Sequence, residues 1–368
     1  MKLILYIGHH KVGSTALQVF LSQNSCGLLR AGILYPCVEV QGFSQLLARA
    51  IGGGDTPGYL PGNLREPHSA LAYKMIQETV GHPVPPQYKM LPAVSQMMHA
   101  IKQQIAYLKP HTTILCSEAF ANFGEVNPTL IAQLRAEFPE AEIEIYCALR
   151  RPDTYLTAWH GQRLKVGEPL APLRENGGYE YFDTIHTDYR RVVAPWIQNM
   201  SNTDIKLRNY ADITATGGSP QDLFQTMGLT TPDGLHPVGR PNRSLPLAAI
   251  EIIRRGNMIF SPPEMHKFNQ HMIQKAHLIA VDPNDDIEVM SPKLRKKLHD
   301  YVKPVQDYLN TVSGSEGFFP DLDQVGVSRP IPELEATARY LKEIDPATMP
   351  TEASKGFIAA LQHEFRLI

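Results

Sequence analysis

A short apolar run near the start of the chain leads directly into a glycine-bearing loop. Residues 3–7, Leu-Ile-Leu-Tyr-Ile, are continuously apolar, which is typical of a strand covered on both faces of a sheet. The loop at residues 8–13 has glycine at both ends, and after it Leu17, Phe20 and Leu21 recur at helical spacing. A buried strand, a tight loop and a helix in succession predict the first unit of an α/β fold.

Further strands alternate with helices along the chain. Apolar runs at 112–116 and 143–149 predict strands, 205–210 is another predicted strand, and the segments between them have helical patterns. Connections of that length are long enough to hold a helix, and so they permit parallel pairing of the strands. We therefore expect a three-layer α/β fold, in which a parallel sheet is flanked by helices.

Two regions depart from this alternation. Residues 38–110 contain a triple glycine at 52–54 and Pro-Val-Pro-Pro at 83–86, so we expect an insertion, or lid, of loops and short helices. Residues 316–368 have apolar stripes and charged faces, which predict a helical C-terminal extension. The expected division is an α/β domain over 1–315 that contains the insertion, followed by this extension.

Charge and composition exclude several classes of function. The formal net charge of −2 gives no overall positive field to attract nucleic acid or an anionic membrane. No run has the apolar length that crosses a bilayer, and no signal peptide is expected before the first strand. The four cysteines lack CxxC spacing and the histidines lack metal-site spacing, so we expect reduced thiols, a cytoplasmic protein and no metal. Any anion site must therefore be local.

The loop after the first strand has the features of such a site. Free N–H groups at a helix start, together with the helix dipole, favour a bound anion. The nucleotide-triphosphate loop GxxxxGK[ST] has lysine directly after its second glycine. Here Ser14 stands at that position and the lysine stands earlier, at Lys11. No apolar strand ends in a clear magnesium-binding aspartate, which phosphoryl transfer would need, so an atypical P-loop kinase remains only as an alternative.

Residues 11–15, Lys-Val-Gly-Ser-Thr, resemble the 5′-phosphosulfate loop of sulfotransferases that use 3′-phosphoadenosine 5′-phosphosulfate (PAPS), which reads Lys-x-Gly-Thr-Thr. The wider string at 6–18 resembles the bacterial branch of that family, and weaker similarity extends over 1–315. The resemblance implies a P-loop-type fold, PAPS as cofactor, and sulfuryl transfer to a hydroxyl or amine of a carbohydrate, lipid or small molecule. It also implies that the cofactor's 5′ end is bound by Lys11, Val12, Gly13, Ser14 and Thr15.

The family has a second motif, an arginine at the end of a strand and a serine eight positions later, which together hold the cofactor's 3′-phosphate. Arg150 matches the arginine, and a guanidinium group fits phosphate geometry. Ala158 stands at the serine position without a hydroxyl, so the adjacent Thr157 is the candidate substitute. This departure keeps open a non-catalytic descendant that binds a nucleotide or a partner. Arg240 and Arg243 are candidates either for closing over the nucleotide or for a solvated basic patch.

Sulfuryl transfer to a hydroxyl needs a base close to the acceptor. Glu118 follows the predicted strand at 112–116, at the edge where open α/β sheets bind ligands. A carboxylate half-buried there has a raised pKa, which suits a base. His10 and His9 in the loop are the alternatives, because the family uses either a glutamate or a histidine in this role.

Overall fold

The chain is an α/β protein, in a computed structural model that describes residues 1–55, 60–88, 90–200, 203–238, 245–279 and 281–366. Five parallel strands form a sheet in the order β2-β3-β1-β4-β5, and two short strands form a second sheet. The strands are β1 (Lys2–Tyr6), β2 (Ile33–Leu34), β3 (Thr112–Cys116), β4 (Glu142–Leu149), β5 (Asp204–Asn209), β6 (Ile287–Glu288) and β7 (Ile331–Pro332). The predicted α/β fold with a parallel sheet flanked by helices is confirmed.

Helices make up most of the remaining regular structure. In chain order they are α1 (Ser14–Gln23), α2 (Ser25–Arg30), α3 (Val40–Ile51), α4 (Gly62–Arg65), α5 (Pro67–Val80), α6 (Val94–Leu108), α7 (Phe123–Val126), α8 (Thr129–Ala136), α9 (Pro152–Lys165), α10 (Arg190–Asn199), α11 (Tyr210–Ala215), α12 (Ser219–Thr226), α13 (Ile250–Asn257), α14 (Pro262–Lys275), α15 (Pro292–Ser313), α16 (Glu333–Lys342) and α17 (Glu352–Phe365). A 3₁₀ helix at Glu118–Asn122 follows β3. Within the described part of the chain, no helix is both long enough and apolar enough to cross a membrane.

The chain divides into two compact units. The first comprises Met1–Arg151, Asp188–Pro241 and Pro304–Pro320, and it contains the five-stranded sheet. The second comprises Pro152–Thr187, Asn242–Lys303 and Asp321–Ile368. The division into 1–315 and 316–368 expected from the sequence stays a prediction.

The insertion at 38–110 is more helical than its sequence suggests. Its helices α3, α5 and α6 have 12, 14 and 15 residues, where short helices were expected. Pro67 does not interrupt α5, because it stands in the first turn, where its missing N–H would have had no partner in the helix. In α5 the proline therefore marks where the helix begins and does not shorten it.

The main sheet is buried on both faces. Side chains that alternate along β1, β3 and β4 join the helices of one face in a single apolar cluster, which includes Ile4, Tyr6, Ile114, Cys116, Tyr146, Leu17, Phe20, Leu223 and Phe224. On the opposite face Leu3, Leu5 and Leu115 are fully buried. Burial on both faces explains why these strands read as continuous apolar runs.

Strand order determines which loops meet at one edge of the sheet. The chain passes from β1 to β2 and β3 on one side, and then crosses to β4 and β5 on the other. Strand β1 therefore lies at the point where the strand order reverses, and such points are where open α/β sheets hold ligands. The loops that follow β1, β3 and β4 leave the sheet side by side at its carboxyl edge.

In the second unit, one buried carboxylate binds three arginines. Glu251 on α13 is fully buried and accepts hydrogen bonds from Arg254 Nε at 2.7 Å, Arg255 Nε at 2.7 Å and Arg174 Nη1 at 3.2 Å. Arg174 also donates to Glu333 on α16 at 2.5 Å. Burial alone would raise the pKa of Glu251, but the hydrogen bonds from the arginines lower it to about 2. This cluster ties α13 to α16 and to the segment that carries Arg174.

Replacing Glu251 with glutamine should destabilise the protein by roughly 3–5 kcal/mol, because three arginines lose a buried counter-charge. Urea denaturation followed by circular dichroism measures this change in the free energy of unfolding. Asp300→Asn is the control, since Asp300 pairs with Lys296 on the surface, where ion pairs contribute little. An unfolding midpoint for Glu251→Gln as high as that of the control would contradict the assigned role.

The same carboxylate predicts a loss of stability in acid. The pKa of Glu251 in the folded protein, about 2, is below its ordinary value of 4.5, so its contribution is present above pH 4.5 and is lost as the pH falls through 2. Across that window the unfolding free energy of the wild-type protein should fall by about 3 kcal/mol more than that of Glu251→Gln. Denaturation curves at a series of pH values test this, and parallel pH dependences of the two proteins would refute it.

Candidate active site

The loop between β1 and α1 turns at two residues with positive φ, Lys11 at 60° and Gly13 at 85°. The start of the loop is fixed to the neighbouring strand, because the backbone N–H of His9 donates to the carbonyl of Ala148 at 2.9 Å. Gly13 is the N-cap of α1 and supplies no side chain to bond the first turn. The N–H groups at the start of α1 therefore face the loop, where the helix dipole favours an anion.

Arg150 contacts this loop directly. Its Nη1 donates a hydrogen bond to the backbone carbonyl of Lys11 at 3.3 Å, and its guanidinium lies 5.1 Å from the ring centre of Tyr210. Tyr189 donates its hydroxyl hydrogen to the carbonyl of Arg150 at 2.7 Å. Since β1 and β4 pair directly, the loops that follow them run side by side. The structure thus brings together the two cationic residues that the sequence singled out separately.

Glu118 lies on the other side of the same loop, just after β3, where α1 holds its carboxylate. Gln18 Nε2 donates a hydrogen bond to Glu118 Oε2 at 3.1 Å. Ser14 and Gln18 are one helical turn apart, so both side chains lie on the same face of α1. Burial raises the pKa of Glu118, and the charge of Glu66 raises it further, whereas the hydrogen bonds from Gln18 and Ser14 oppose the shift.

His10 is also close to the segment that follows β3. Burial lowers its pKa to about 4; a hydrogen bond with Asn122 opposes this shift, and the charge of Lys11 adds to it. The backbone N–H of His10 donates to His9 Nδ1 at 2.8 Å, and His9 itself is fully buried. His10 is therefore neutral at neutral pH and is a weak base.

The remaining predicted residues differ in what they can offer a ligand. The Val12 side chain is fully buried in the apolar cluster of the sheet, so only its backbone can reach a ligand. Thr15 is partly buried in the first turn of α1. Thr157 belongs to the second unit, and its hydroxyl donates to the carbonyl of Asp153 in the same helix at 2.9 Å. Arg240 and Arg243 lie outside the described residues.

Sequence reasoning missed the polar side chains that support Glu118. Gln18 is fully buried, and its Nε2 lies 3.3 Å from Ser69 Oγ on α5. The hydroxyls of Ser69 and Ser117 are hydrogen-bonded at 3.0 Å. The sequence did contain one signal for this support: a glutamine lies between the apolar positions of α1, one turn after Ser14. It contained no signal for the contribution of α5, because the packing of α5 on β3 is a long-range contact.

The arrangement can bind an anion and accept a proton close to it. Lys11 and Arg150 supply positive charge at the loop, the start of α1 supplies N–H donors, and Glu118 supplies a partly buried carboxylate. Comparison with known proteins finds no match to this chain among protein-family models, curated proteins or solved structures. Function is therefore inferred from the chemistry of the site and from the residues at 11–15.

Gly13 is predicted to be irreplaceable for two separate reasons. Its positive φ disfavours any side chain, and an added Cβ would lie 2.4 Å from Ser219 Oγ on α12. Gly13→Ala should therefore lower the free energy of unfolding by about 2–4 kcal/mol, combining left-handed strain with a collision. Urea denaturation measures the change.

Gly81→Ala is the matched control, since Gly81 has a φ of +76° with nothing within 4 Å of an added Cβ. Gly81→Ala introduces the backbone strain without the collision, so its free energy of unfolding should fall by only about 1 kcal/mol. Adding Ser219→Gly to Gly13→Ala should recover part of the loss. If the two alanine variants are equally destabilised, the close approach of Ser219 does not constrain the loop.

Proposed function

We propose that the chain is a PAPS-dependent sulfotransferase that acts on a hydroxyl or amine of a carbohydrate, lipid or small-molecule acceptor. The observation that carries the proposal is the contact of the Arg150 guanidinium with the Lys11 carbonyl at 3.3 Å. PAPS carries negative charge at both its 3′ and its 5′ end. A binding site for it therefore needs two cationic groups close together, one for each end. Arg150 and the Lys11 loop fit that requirement.

Within this proposal the loop binds the 5′ end and Arg150 binds the 3′-phosphate. Backbone N–H groups of Val12 and Gly13, together with the hydroxyls of Ser14 and Thr15, would hold the 5′-phosphate. Lys11 would stabilise the negative charge that the phosphate gains as it leaves, without a metal. A guanidinium can offer two parallel hydrogen bonds to a phosphate, which suits Arg150 to the 3′ position.

We assign the 3′-phosphate to Arg150 rather than to Thr157. Ala158 removes the hydroxyl that the family has at this point, and the Thr157 hydroxyl is already bonded to the Asp153 carbonyl. Thr157 would have to exchange that hydrogen bond to bind phosphate. The strand order β2-β3-β1-β4-β5, with the loop after the central β1, supports the proposed P-loop type of fold.

Glu118 is the proposed base, with His10 as the alternative. When bound, PAPS supplies the sulfuryl group: a bond forms between sulfur and the acceptor oxygen or nitrogen, and the bond from sulfur to the 5′-phosphate oxygen breaks, leaving adenosine 3′,5′-bisphosphate. Glu118 would take the acceptor's proton. Its raised pKa makes it a better proton acceptor than an ordinary carboxylate, whereas the pKa of His10 is lowered to about 4.

Incubation with sulfur-labelled PAPS and a mixture of acceptors tests the activity, and calorimetry with adenosine 3′,5′-bisphosphate tests the binding. Lys11→Ala should reduce label transfer by about 100-fold or more, because the charge on the leaving phosphate is no longer stabilised. Arg150→Lys should raise the Kd of the bisphosphate roughly 10- to 100-fold, because a lysine cannot form the paired hydrogen bonds.

Arg30→Lys is the control, since it makes the same change at an exposed position on α2 and should alter neither quantity. Absence of bisphosphate binding would overturn the proposal. Binding of ATP that requires magnesium would favour the kinase alternative. Binding of the bisphosphate with no turnover on any acceptor would favour the non-catalytic descendant.

A further inference from the structure

Helix α3 of the insertion carries apolar side chains on its outward face. Val40, Phe43, Leu47 and Ile51 are 80%, 47%, 52% and 79% exposed. Their spacing of three or four residues places them in one stripe along the helix, here called the α3 stripe. A surface helix of a globular protein normally has polar side chains on its solvent side. A continuous apolar face in that position is therefore typical of a surface that binds a partner.

The opposite side of α3 is already occupied by contacts within the protein. Gly42 packs so closely there that an added Cβ would lie 3.1 Å from Cys37 Cβ. Glu39 caps the helix by accepting hydrogen bonds from two backbone N–H groups of the first turn. Arg49 is the one charged residue within α3; it is mostly buried, and its Nη1 donates to the Ser22 carbonyl at 2.8 Å. The α3 stripe is thus held on the surface, and it carries no charge.

The α3 stripe matches itself when a second copy of the helix runs antiparallel to it. Val40 and Ile51 lie at its two ends, and Phe43 and Leu47 lie on either side of its middle. A two-fold axis through the middle sets Val40 against the second copy's Ile51, and Phe43 against the second copy's Leu47. Ser44 lies beside the middle of the stripe, and its small side chain lets the two helices approach closely.

Charges at the two ends of α3 fit the same antiparallel pairing. Glu39 precedes the helix, and Arg30 lies close to the segment after it, because an added Cβ at Gly54 would be 3.2 Å from Arg30 Nη1. In an antiparallel pair the acidic end of one helix meets the basic end of the other, and the helix dipoles run in opposite directions. An anionic membrane fits less well, because α3 has no lysine and its one arginine is bound on the inward side.

We propose that the α3 stripe is a contact surface between two copies of this chain, which pair antiparallel about a two-fold axis through the middle of α3. An apolar, uncharged centre with charged groups at its margins is the composition of such contacts. One helix face is smaller than the roughly 800 Å² per partner of a standard interface, so we expect a weak dimer, with a Kd on the order of 10–100 μM.

Sedimentation velocity of the full chain, from about 1 to 500 μM, tests the proposal. The mass should rise from that of one chain toward that of two. Leu47→Glu should raise the Kd by about 10-fold or more, because the carboxylate would lie against the second copy's Phe43. Tyr107→Glu is the matched control, since it makes a similar change at an 81% exposed position on α6, outside the α3 stripe, and should not alter the Kd. Circular dichroism checks that both variants are folded.

A mixture of two variants tests the orientation of the pair. Phe43→Lys and Leu47→Glu should each be monomeric alone. Mixed in equal amounts they should form a heterodimer, because one contact becomes a lysine–glutamate pair and the other keeps its native phenylalanine and leucine.

Three results would count against the proposal. A mass that stays at one chain up to the highest concentration, or undiminished association of Leu47→Glu, would overturn it. Absence of the heterodimer in the mixture would overturn the antiparallel pairing. Binding to phosphatidylcholine vesicles by the monomeric wild-type protein and not by Leu47→Glu would assign the α3 stripe to a lipid surface instead.

Discussion

Parallel pairing of β1 with β3 on one side and with β4 on the other is the constraint on which the candidate site depends. It makes the ends of β1, β3 and β4 neighbours at one edge of the sheet, although these strands end at Tyr6, Cys116 and Leu149. Two contacts favour the conformation of the loop: Gly13 leaves room for the Ser219 hydroxyl, and Arg150 donates to the carbonyl of Lys11. The same arginine thus supports the conformation of the loop and adds positive charge beside it.

Glu251 and Glu118 show how the partners of a carboxylate decide the direction of its pKa shift. Burial raises the pKa of a carboxyl group in both cases. Three arginines overcome that effect at Glu251, so it stays ionised and holds the second unit together. Glu118 has neutral donors, Gln18 and Ser14, and a carboxylate neighbour, Glu66, so its pKa remains raised. The first arrangement stabilises a charge for structure, and the second leaves a carboxylate able to take up a proton.

Part of the candidate site could be predicted from the sequence alone. The loop at 8–13, Arg150 and Glu118 each follow an apolar run, and the ends of parallel strands meet at one edge. The hydrogen-bond partners that hold each side chain in place could not be predicted. The support for Glu118 comes from Gln18 and from α5, and α5 belongs to an insertion whose proline content suggested loops and short helices. Contacts between segments so far apart in the chain leave no periodic signal in either one.

The sequence by itself determined the local structure: buried strands, the turn at the end of β1, and the helix that follows it. It did so because apolar runs, glycine and helical spacing act through neighbouring residues. Only the tertiary structure decided the strand order, the contact between Arg150 and Lys11, and the hydrogen bond from Gln18 to the Glu118 carboxylate. Those features depend on which strands pair and on which hydrogen-bond partners lie within reach of each buried polar group. Both are properties of the packed chain as a whole.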